Sequence, residues 1–147
     1  MRYNHYICGM RFNIVVLSIL ILMTLLACDD EFDESNYVSF PLDTTLMDKS
    51  HTTIGYIYSN GSIKDRHYDI VGYINSDGKV TDSHYVFVGS VVKQTESIYK
   101  IFDRNYDEKG YVYVANGEVR NSHFDIVGYG TGDHIWKAGA LLLLSIH

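Results

Sequence analysis

Apolar and polar residues alternate along the chain from about residue 54 onward, and this pattern is the first guide to the fold. Single apolar residues stand between polar neighbours at equivalent places, which is the period-two pattern of a half-buried strand. These residues are Ile63, Val80, Ile101 and Val119. A short apolar segment that contains a glycine, such as residues 70–74, follows most of them. The pattern therefore predicts short strands in a repeating order.

The strands belong to an internal repeat. Its units end at Gly72, Gly89, Gly110 and Gly128, so successive glycines are 17, 21 and 18 residues apart. The unit at residues 99–110 keeps the spacing within the repeat, but it lacks the first glycine and the apolar pair before the last one. Units this small cannot bury a hydrophobic face alone, so they must stack on one another or close into a ring.

Two kinds of turn separate the strands. In the first kind a glycine follows Asn or Asp, which is typical of primed hairpin turns with positive φ. These glycines are Gly61, Gly78 and Gly117. The second kind begins with a short polar side chain that can accept backbone N–H bonds two residues on. These residues are Asp65, Asp82, Asp103 and Asn121. Three positions later comes an aromatic residue that we expect to pack on the core. These are Tyr68, Tyr85, Tyr106 and Phe124.

A closed ring is the better way to bury such units, because an open array leaves long unpaired edges. We therefore predict an all-β fold, a closed pseudo-fivefold ring (a β-flower or miniature propeller) of short antiparallel strands built from repeats of about 17 residues. Residues 54–72 form one unit, three follow, and Tyr129 begins a partial fifth. Residues 128–132 are interpreted as a loop. The apolar tail at residues 136–146 either completes the ring or plugs it as a short helix; the alternative is an exposed tail that binds a partner.

The N-terminal region carries a signal of another kind. Residues 14–26 form an apolar run of thirteen residues, which is the size of a signal-peptide core and shorter than the roughly 20 residues of a spanning helix. Residues 25–28, Leu-Leu-Ala-Cys, resemble a bacterial lipobox. We expect residues 1–27 to be a lipoprotein signal peptide, with Met10 as a better start than Met1, and Cys28 to carry a covalent diacylglycerol lipid. The alternatives are a plain secretory signal or a core helix.

The segment after the cysteine is acidic. Residues 28–50 predict a solvated tether, and residues 51–147 the repeat domain. The acidic residues directly after Cys28 resemble the signal that sends lipoproteins of Bacteroidota to the outer cell surface; a merely solvating linker is the alternative. Cleavage after residue 27 leaves ten basic and eighteen acidic residues, a formal charge of about −8. That charge argues against nucleic acid as a partner. With Cys8 removed and Cys28 lipidated, no disulfide is expected.

The repeat motif Ile-x-Asp-x-His-Tyr-x-Ile-Val-Gly-Tyr and the ending Trp-x-Ala-x-Ala-Leu-Leu-Leu resemble the 5-fold β-flower proteins of Bacteroidota. The resemblance covers about residues 54–146 and departs from the pattern at residues 99–109. It implies a fold and a phylum. It implies no established activity and carries over no catalytic residue.

Candidate chemistry is sparse. No nucleophile elbow, Walker loop, HExxH or paired CxxC motif is present in the sequence, so we do not expect an enzyme. His67, His84 and His123 occupy equivalent repeat positions, with Asn105 in the fourth. They could bind a metal if that position faced the ring axis, whereas in a polar turn they would only cap backbone groups. The Asp65 set could likewise form an axial calcium ring, and turn capping is the alternative.

Strand tyrosines are the remaining candidates, since such residues stack on sugar rings or pack against other proteins. They are Tyr56, Tyr58, Tyr73, Tyr111, Tyr113 and Tyr129, of which Tyr56, Tyr73, Tyr111 and Tyr129 are the binding candidates. The sequence thus predicts a lipid-anchored protein of the cell envelope, in the outer membrane and on its surface, with a non-catalytic binding module and no cofactor beyond its lipid. Its partner would be a glycan or another envelope protein. The alternatives are a structural spacer without a ligand and a metal-binding or enzymatic domain that uses the histidines.

Overall fold

The computed structural model describes residues 40–146, which form a closed barrel of ten antiparallel strands. The strands are β1 Leu42–Asp48, β2 Thr53–Tyr58, β3 Ser62–Asp65, β4 Ile70–Ile74, β5 Lys79–Asp82, β6 Phe87–Lys93, β7 Ile98–Asp103, β8 Glu108–Tyr113, β9 Glu118–Asn121 and β10 Ile126–Gly132. Each strand pairs with its neighbours in sequence, and β1 pairs with β10 to close the ring. The prediction of an all-β closed ring of short antiparallel strands is confirmed.

The fifth petal of the ring is built from both ends of the described chain. β10 pairs with β1 in register, with Leu46 opposite Gly130. The ring therefore begins at Leu42, inside the range 28–50 that the sequence assigned to the tether, and the predicted boundary at residue 51 is too late for the ring. The apolar pattern did not predict this strand because a polar residue, Thr44, occupies one of its buried positions. Thr44 is fully buried, and its hydroxyl donates a hydrogen bond to the His134 carbonyl at 3.0 Å. Residues 1–39, which include the predicted signal peptide and Cys28, lie outside the described residues.

One layer of the core contains one inward residue from every strand. Nine of these are buried aliphatic residues and the tenth, on β10, is a buried glycine. They are Leu46, Ile57, Ile63, Ile74, Val80, Val91, Ile101, Val112, Val119 and Gly130. A methyl group at Gly130 would overlap the Ala138 side chain. The missing side chain thus makes room for the C-terminal tail in the centre of the ring.

The tail plugs the barrel, which confirms one of the two arrangements expected for it. It forms a 3-10 helix, Ile135–Ala140, and one turn of α-helix, α1, Leu141–Leu144. Ala138 and Ala140 are fully buried. The leucine side chains of α1 pack against a second layer of glycines on the barrel wall. A methyl group on Gly72, for example, would lie 2.8 Å from Leu144 Cδ1.

Each even-numbered strand carries a β-bulge directly before its glycine. In the pairing of β3 with β4, for example, Ile63 faces Gly72 while Lys64 faces Ile70, so Val71 is the extra residue. Bulges bend a strand and increase its twist, which helps short strands to close a ring. The residue before each of these glycines, which is apolar in every even-numbered strand except β8, is therefore the bulged residue.

The hairpin turns differ in detail from the prediction. Gly61, Gly78 and Gly117 have φ of +83°, +84° and +74°, but the Asn or Asp before each has negative φ. The expected primed turns are thus wrong, because only the glycine adopts the left-handed conformation, as in a turn that ends in a glycine bulge. Residues 128–132 are also not a loop, since they belong to β10.

Among residues 40–146, no helix is both long enough and apolar enough to cross a membrane.

Candidate functional site

Five turns of the same design lie together at one end of the barrel, and they connect each odd-numbered strand to the next even-numbered one. In each turn a side-chain oxygen accepts two backbone N–H bonds, from residues two and four positions later, at 2.7–3.1 Å. The accepting residues are Asp48, Asp65, Asp82, Asp103 and Asn121. The turn-capping interpretation of the aspartates is confirmed by these hydrogen bonds.

The fourth residue of every turn is held in the left-handed conformation, with φ between +62° and +67°. These five residues, which we call the aromatic rim, are His51, Tyr68, Tyr85, Tyr106 and Phe124. The four aromatic side chains are 53–76% exposed. The expectation that they pack on the core is therefore wrong. Because φ is positive at the turn, the side chain points back over the outer wall. The apolar bulge residues pack against the core instead, and the glycines leave room for the tail.

The rim residues stack on aromatic residues of the outer wall. Tyr68 stacks on Tyr56 with ring centroids 5.3 Å apart, and Tyr85 on Tyr73 at 4.6 Å. Two further pairs complete the pattern: Phe124 on Tyr111 at 5.2 Å, and His51 on Tyr129 at 4.1 Å. The four tyrosines that the sequence selected as binding candidates are thus the half-buried partners beneath the rim, and the rim residues themselves are the exposed ones.

One petal departs from this pattern. The wall position beneath Tyr106 is Ser90, the residue after Gly89, so no aromatic ring lies there, and Tyr106 is the most exposed rim residue at 76%. The same petal has Lys109 at the bulge, where the others have Ile or Val. Lys109 Nζ lies 3.5 Å from Asp103 Oδ2. Burial raises the pKa of Asp103, but the N–H groups of Asn105 and Asp107, together with Lys109, outweigh it and leave the pKa below its usual value.

The hydroxyl groups in the stacked pairs affect one another. The Tyr68 hydroxyl beside Tyr56 raises the pKa of the Tyr56 phenol, and the Tyr85 hydroxyl does the same to the pKa of Tyr73. The Tyr111 hydroxyl donates to Glu108, which raises the pKa of Tyr111 and lowers that of Glu108. A phenol begins near pKa 10, so all three tyrosines are neutral near pH 7. These three wall tyrosines therefore present uncharged, amphipathic rings.

The three candidate histidines are exposed members of the same turns. The backbone N–H groups of His67, His84 and His123 donate to the capping side chains at 2.8–2.9 Å. Within residues 40–146, no three His, Cys, Asp or Glu side chains are grouped so that they could hold a metal ion. The structure therefore does not bring these histidines together, and it places them among the rim turns.

A depression of about 390 Å³ opens beside the first turn. Its lining includes the apolar Ile54, Val127 and Ile146, the cationic Lys49 and Arg66, and the anionic capping residue Asp48. Together these residues offer apolar contact and positive charge next to the aromatic rim.

The first turn of the rim is a part of the candidate site that the sequence pattern did not reveal. Residues 48–52 follow the same plan as residues 65–69, with Asp48 as the capping residue and His51 at the left-handed position. The signal was present in the spacing, because Asp48, Asp65 and Asp82 are 17 residues apart. It was concealed because this unit has a serine and a histidine in place of the His-Tyr pair.

Comparison with known proteins agrees with the architecture. No curated protein and no solved structure matches the chain. A family model described as "5-fold beta-flower protein" matches residues 33–143. The match covers most of the chain and the whole ring from β1 to β10. The chain therefore belongs to the 5-fold beta-flower family.

Proposed function

We propose that this protein is a lipid-anchored component of the bacterial cell envelope whose aromatic rim binds another envelope protein. The lipobox-like residues 25–28 and the acidic segment after Cys28 support the anchor and an outer-membrane location. One observation supports the binding role above the others: four aromatic residues and one histidine are exposed at strained left-handed positions on a single end of the barrel.

The backbone strain is informative because a turn that only connects two strands could avoid it with a different residue. The left-handed conformation costs a bulky residue about 1–2 kcal/mol, whereas Gly adopts it freely and Asn adopts it readily. All five rim positions nevertheless carry a histidine or a large aromatic residue. Strain of this kind concentrates at functional sites. At Tyr106, which has no aromatic ring beneath it to offset the strain, a position that served stability alone would be expected to carry glycine or asparagine.

The chemistry of the rim suits a protein partner. Interfaces between proteins are enriched in aromatic residues and arginine, and hot spots are rich in Tyr and Arg. Arg66 and Arg104 flank two of the exposed tyrosines. The depression is lined by two cations, Lys49 and Arg66, against one carboxylate, Asp48, beside apolar residues, so it would accept an acidic side chain with apolar neighbours. The partner expected here is thus a protein surface that presents a carboxylate beside apolar groups.

The two rival interpretations, a structural spacer and a metal-binding or enzymatic domain, predict different features at the rim. A structural spacer needs no exposed aromatic residues on one end of the ring. A metal-binding or enzymatic domain needs titratable groups gathered in a concave site, and the candidate histidines are instead distributed over separate turns.

Site-specific photo-crosslinking in living cells tests the binding role. A photoreactive phenylalanine replaces Tyr106 in the lipidated protein, and in a matched control it replaces Glu96, which is exposed in the hairpin between β6 and β7 at the other end of the barrel. We expect a discrete crosslinked product from position 106 that is lost when Lys49 and Arg66 are both changed to Ala. No product from position 106, or equal products from both positions, would support the spacer.

The anchor has its own test. Cys28→Ser should abolish incorporation of a labelled fatty acid and release the protein from the membrane fraction, whereas Cys8→Ser should change neither. Retention of the label in the Cys28→Ser variant would refute lipidation at this residue without affecting the binding role of the rim.

A further inference from the structure

The opposite end of the barrel contains a cleft that the rim does not involve. Its volume is about 280 Å³, and its lining includes Trp136 from the tail, Tyr99 from β7, and Asp77 from the turn between β4 and β5. Lys93 and Val92, at the end of β6, form another wall. The cleft thus combines two aromatic rings with a carboxylate and an ammonium group.

The two aromatic rings stack on each other, so the pair offers a ligand only its outer faces. Tyr99 and Trp136 lie nearly parallel, with centroids 5.5 Å apart and an interplanar angle of 13°. Both are half-buried against the core, which holds them in place. Since their positions are already fixed, a ligand that stacks on them loses little of its binding energy to ordering of the protein.

Two independent departures from the repeat meet at this cleft. The spacing between Gly89 and Gly110 is 21 residues, whereas it is 17 between Gly72 and Gly89. The longer unit lets β6 continue to Lys93, four residues past its glycine, as β10 also does, while the neighbouring β4 ends at Ile74, two residues past its own. The second departure is Trp136, the single tryptophan of the chain. Neither feature is needed to repeat the petal, and together they build the cleft walls.

The polar groups of the cleft can exchange their present partners for a ligand. Lys93 Nζ bonds Glu96 at 2.7 Å, but both side chains are largely exposed, and such pairs contribute about 0–1 kcal/mol. Asp77 Oδ1 accepts the Lys79 N–H at 3.2 Å. A carboxylate can accept further bonds from ligand hydroxyl groups through its second oxygen. A carboxylate acceptor and an ammonium donor beside aromatic rings suit a ligand with hydroxyl groups around a flat apolar face.

From this geometry we propose that the cleft binds a single sugar ring of a glycan. The apolar face of the sugar would stack on the face of Tyr99 that is turned away from Trp136, since Lys137 Nζ already lies over the Trp136 ring, 5.9 Å from its centroid. The sugar hydroxyl groups would donate to Asp77, and Lys93 would donate to a ring or hydroxyl oxygen. The proposal does not rest on the function of the aromatic rim, which lies at the other end of the strands. The two sites would let one domain contact a glycan and a protein together.

Because Trp136 is the only tryptophan, its fluorescence reports directly on the cleft. The purified full-length protein is titrated separately with N-acetylglucosamine, methyl β-galactoside and methyl α-mannoside. We expect at least one sugar to give a saturable change, with a dissociation constant of about 1 mM. The absence of a saturable change with all three sugars at concentrations up to about 50 mM, well above that range, would overturn the proposal.

Substitutions in the cleft test whether the sugar binds there. Asp77→Asn keeps an oxygen that can accept the Lys79 N–H, and Lys93→Gln removes only the ammonium group. Each should weaken binding about tenfold, which corresponds to the loss of one charge-assisted hydrogen bond. The rim variant Tyr85→Asn is the matched control and should leave the titration unchanged. Binding that is insensitive to both cleft variants, or that falls equally in Tyr85→Asn, would overturn the assignment to this cleft. Loss of the rim crosslink would leave this result unaffected.

Discussion

The two ends of this barrel are built on opposite plans. At the rim end, five turns of the same length and hydrogen bonding are each held by their own local cap, and their large side chains are exposed. At the hairpin end the connections differ in length, and long-range contacts hold the structure, with Asp43 joined to both His134 and Lys137 across 91 and 94 residues. The rim end is thus ordered by its local sequence, whereas the hairpin end adds tertiary contacts to local turn bonds such as that from the Lys79 N–H to Asp77 Oδ1.

This difference shows where the fivefold symmetry has a purpose. A repeated local motif can present the same side chain five times around a ring, which suits a broad contact surface. A cleft with distinct walls needs residues that occur once, and these lie at the hairpin end, where the tail enters the ring. The comparison also predicts that single substitutions will have larger effects at the hairpin end.

The largest effect is expected at the buried ion pair of the hairpin end. Asp43 is 7% exposed and accepts hydrogen bonds from Lys137 Nζ and, at 2.5 Å, from the His134 Nδ1 atom. Asp43→Ala should lower the free energy of unfolding by about 3–5 kcal/mol, because it leaves the buried Lys137 ammonium without a counter-charge. Urea denaturation measures the loss. The double variant Asp43→Ala/Lys137→Met should recover most of it, and a loss below about 1 kcal/mol in the single variant would contradict a buried ion pair.

The same pair predicts an acid sensitivity. Burial raises the pKa of Asp43, but Lys137 and then His134 outweigh it, so the folded-state pKa lies below its usual value. A lowered folded pKa means that the stabilisation is complete above the unfolded pKa of about 3.9 and is lost as the pH falls through the folded value. The fall in stability below about pH 4 should therefore be shallower in the Asp43→Ala/Lys137→Met variant than in the native protein.

The fit of the plug is the next largest test. Gly130→Ala would bring a methyl group into the space of the Ala138 side chain and should cost about 1–3 kcal/mol through overpacking. Adding Ala138→Gly moves the methyl group from the plug to the wall and should restore much of that stability. Thermal unfolding followed by circular dichroism compares the three proteins. Equal stability of the native protein and the single variant would mean that the plug is packed loosely against β10.

At the rim end, loss of one local cap should have a smaller effect. Asp82→Ala removes the acceptor of the His84 and Val86 N–H bonds, which measure 2.8 and 3.0 Å. We expect a loss of about 1–2 kcal/mol, comparable to the loss of a helix N-cap. Asp82→Asn should retain most of the stability, because Asn121 caps the fifth petal in the same way. If the two variants were equally unstable, the charge of Asp82 would matter more than its hydrogen bonds.

The smallest expected change in the free energy of unfolding comes from relief of backbone strain at the rim, and it is a stabilisation. Tyr106→Asn should raise the free energy of unfolding by about 0.5–1 kcal/mol, because asparagine tolerates the left-handed conformation and Tyr106 has no aromatic ring beneath it. Tyr85→Asn gains the same relief but loses the stack on Tyr73, which is worth about 0.5–1.5 kcal/mol. The difference between the two variants, measured by urea denaturation, should be close to that stacking energy. If both destabilise the protein equally, the rim positions are not strained.

Much of the architecture could be predicted because it is local. The single apolar residues such as Ile63 and Val80 marked the inward positions, and Asp65 and its equivalents marked the turns that they cap. The direction of the aromatic residues could not be predicted in this way. Tyr68 follows the capping residue in a pattern that also suits a buried ring, and only its positive φ places it on the outer wall.

By itself, the sequence determined the repeat and the capped turns, because each depends on contacts between residues close together in the chain. It favoured a closed all-β ring because an open array of such units leaves unpaired edges. The tertiary structure decided what required distant residues to meet. It paired β1 with β10 to complete the fifth petal, admitted the tail past Gly130, and placed Trp136 against Tyr99. These contacts join segments that are far apart in the chain, and the pattern of one segment does not predict its contact with another. Only the closed ring therefore shows that the hairpin end contains a cleft.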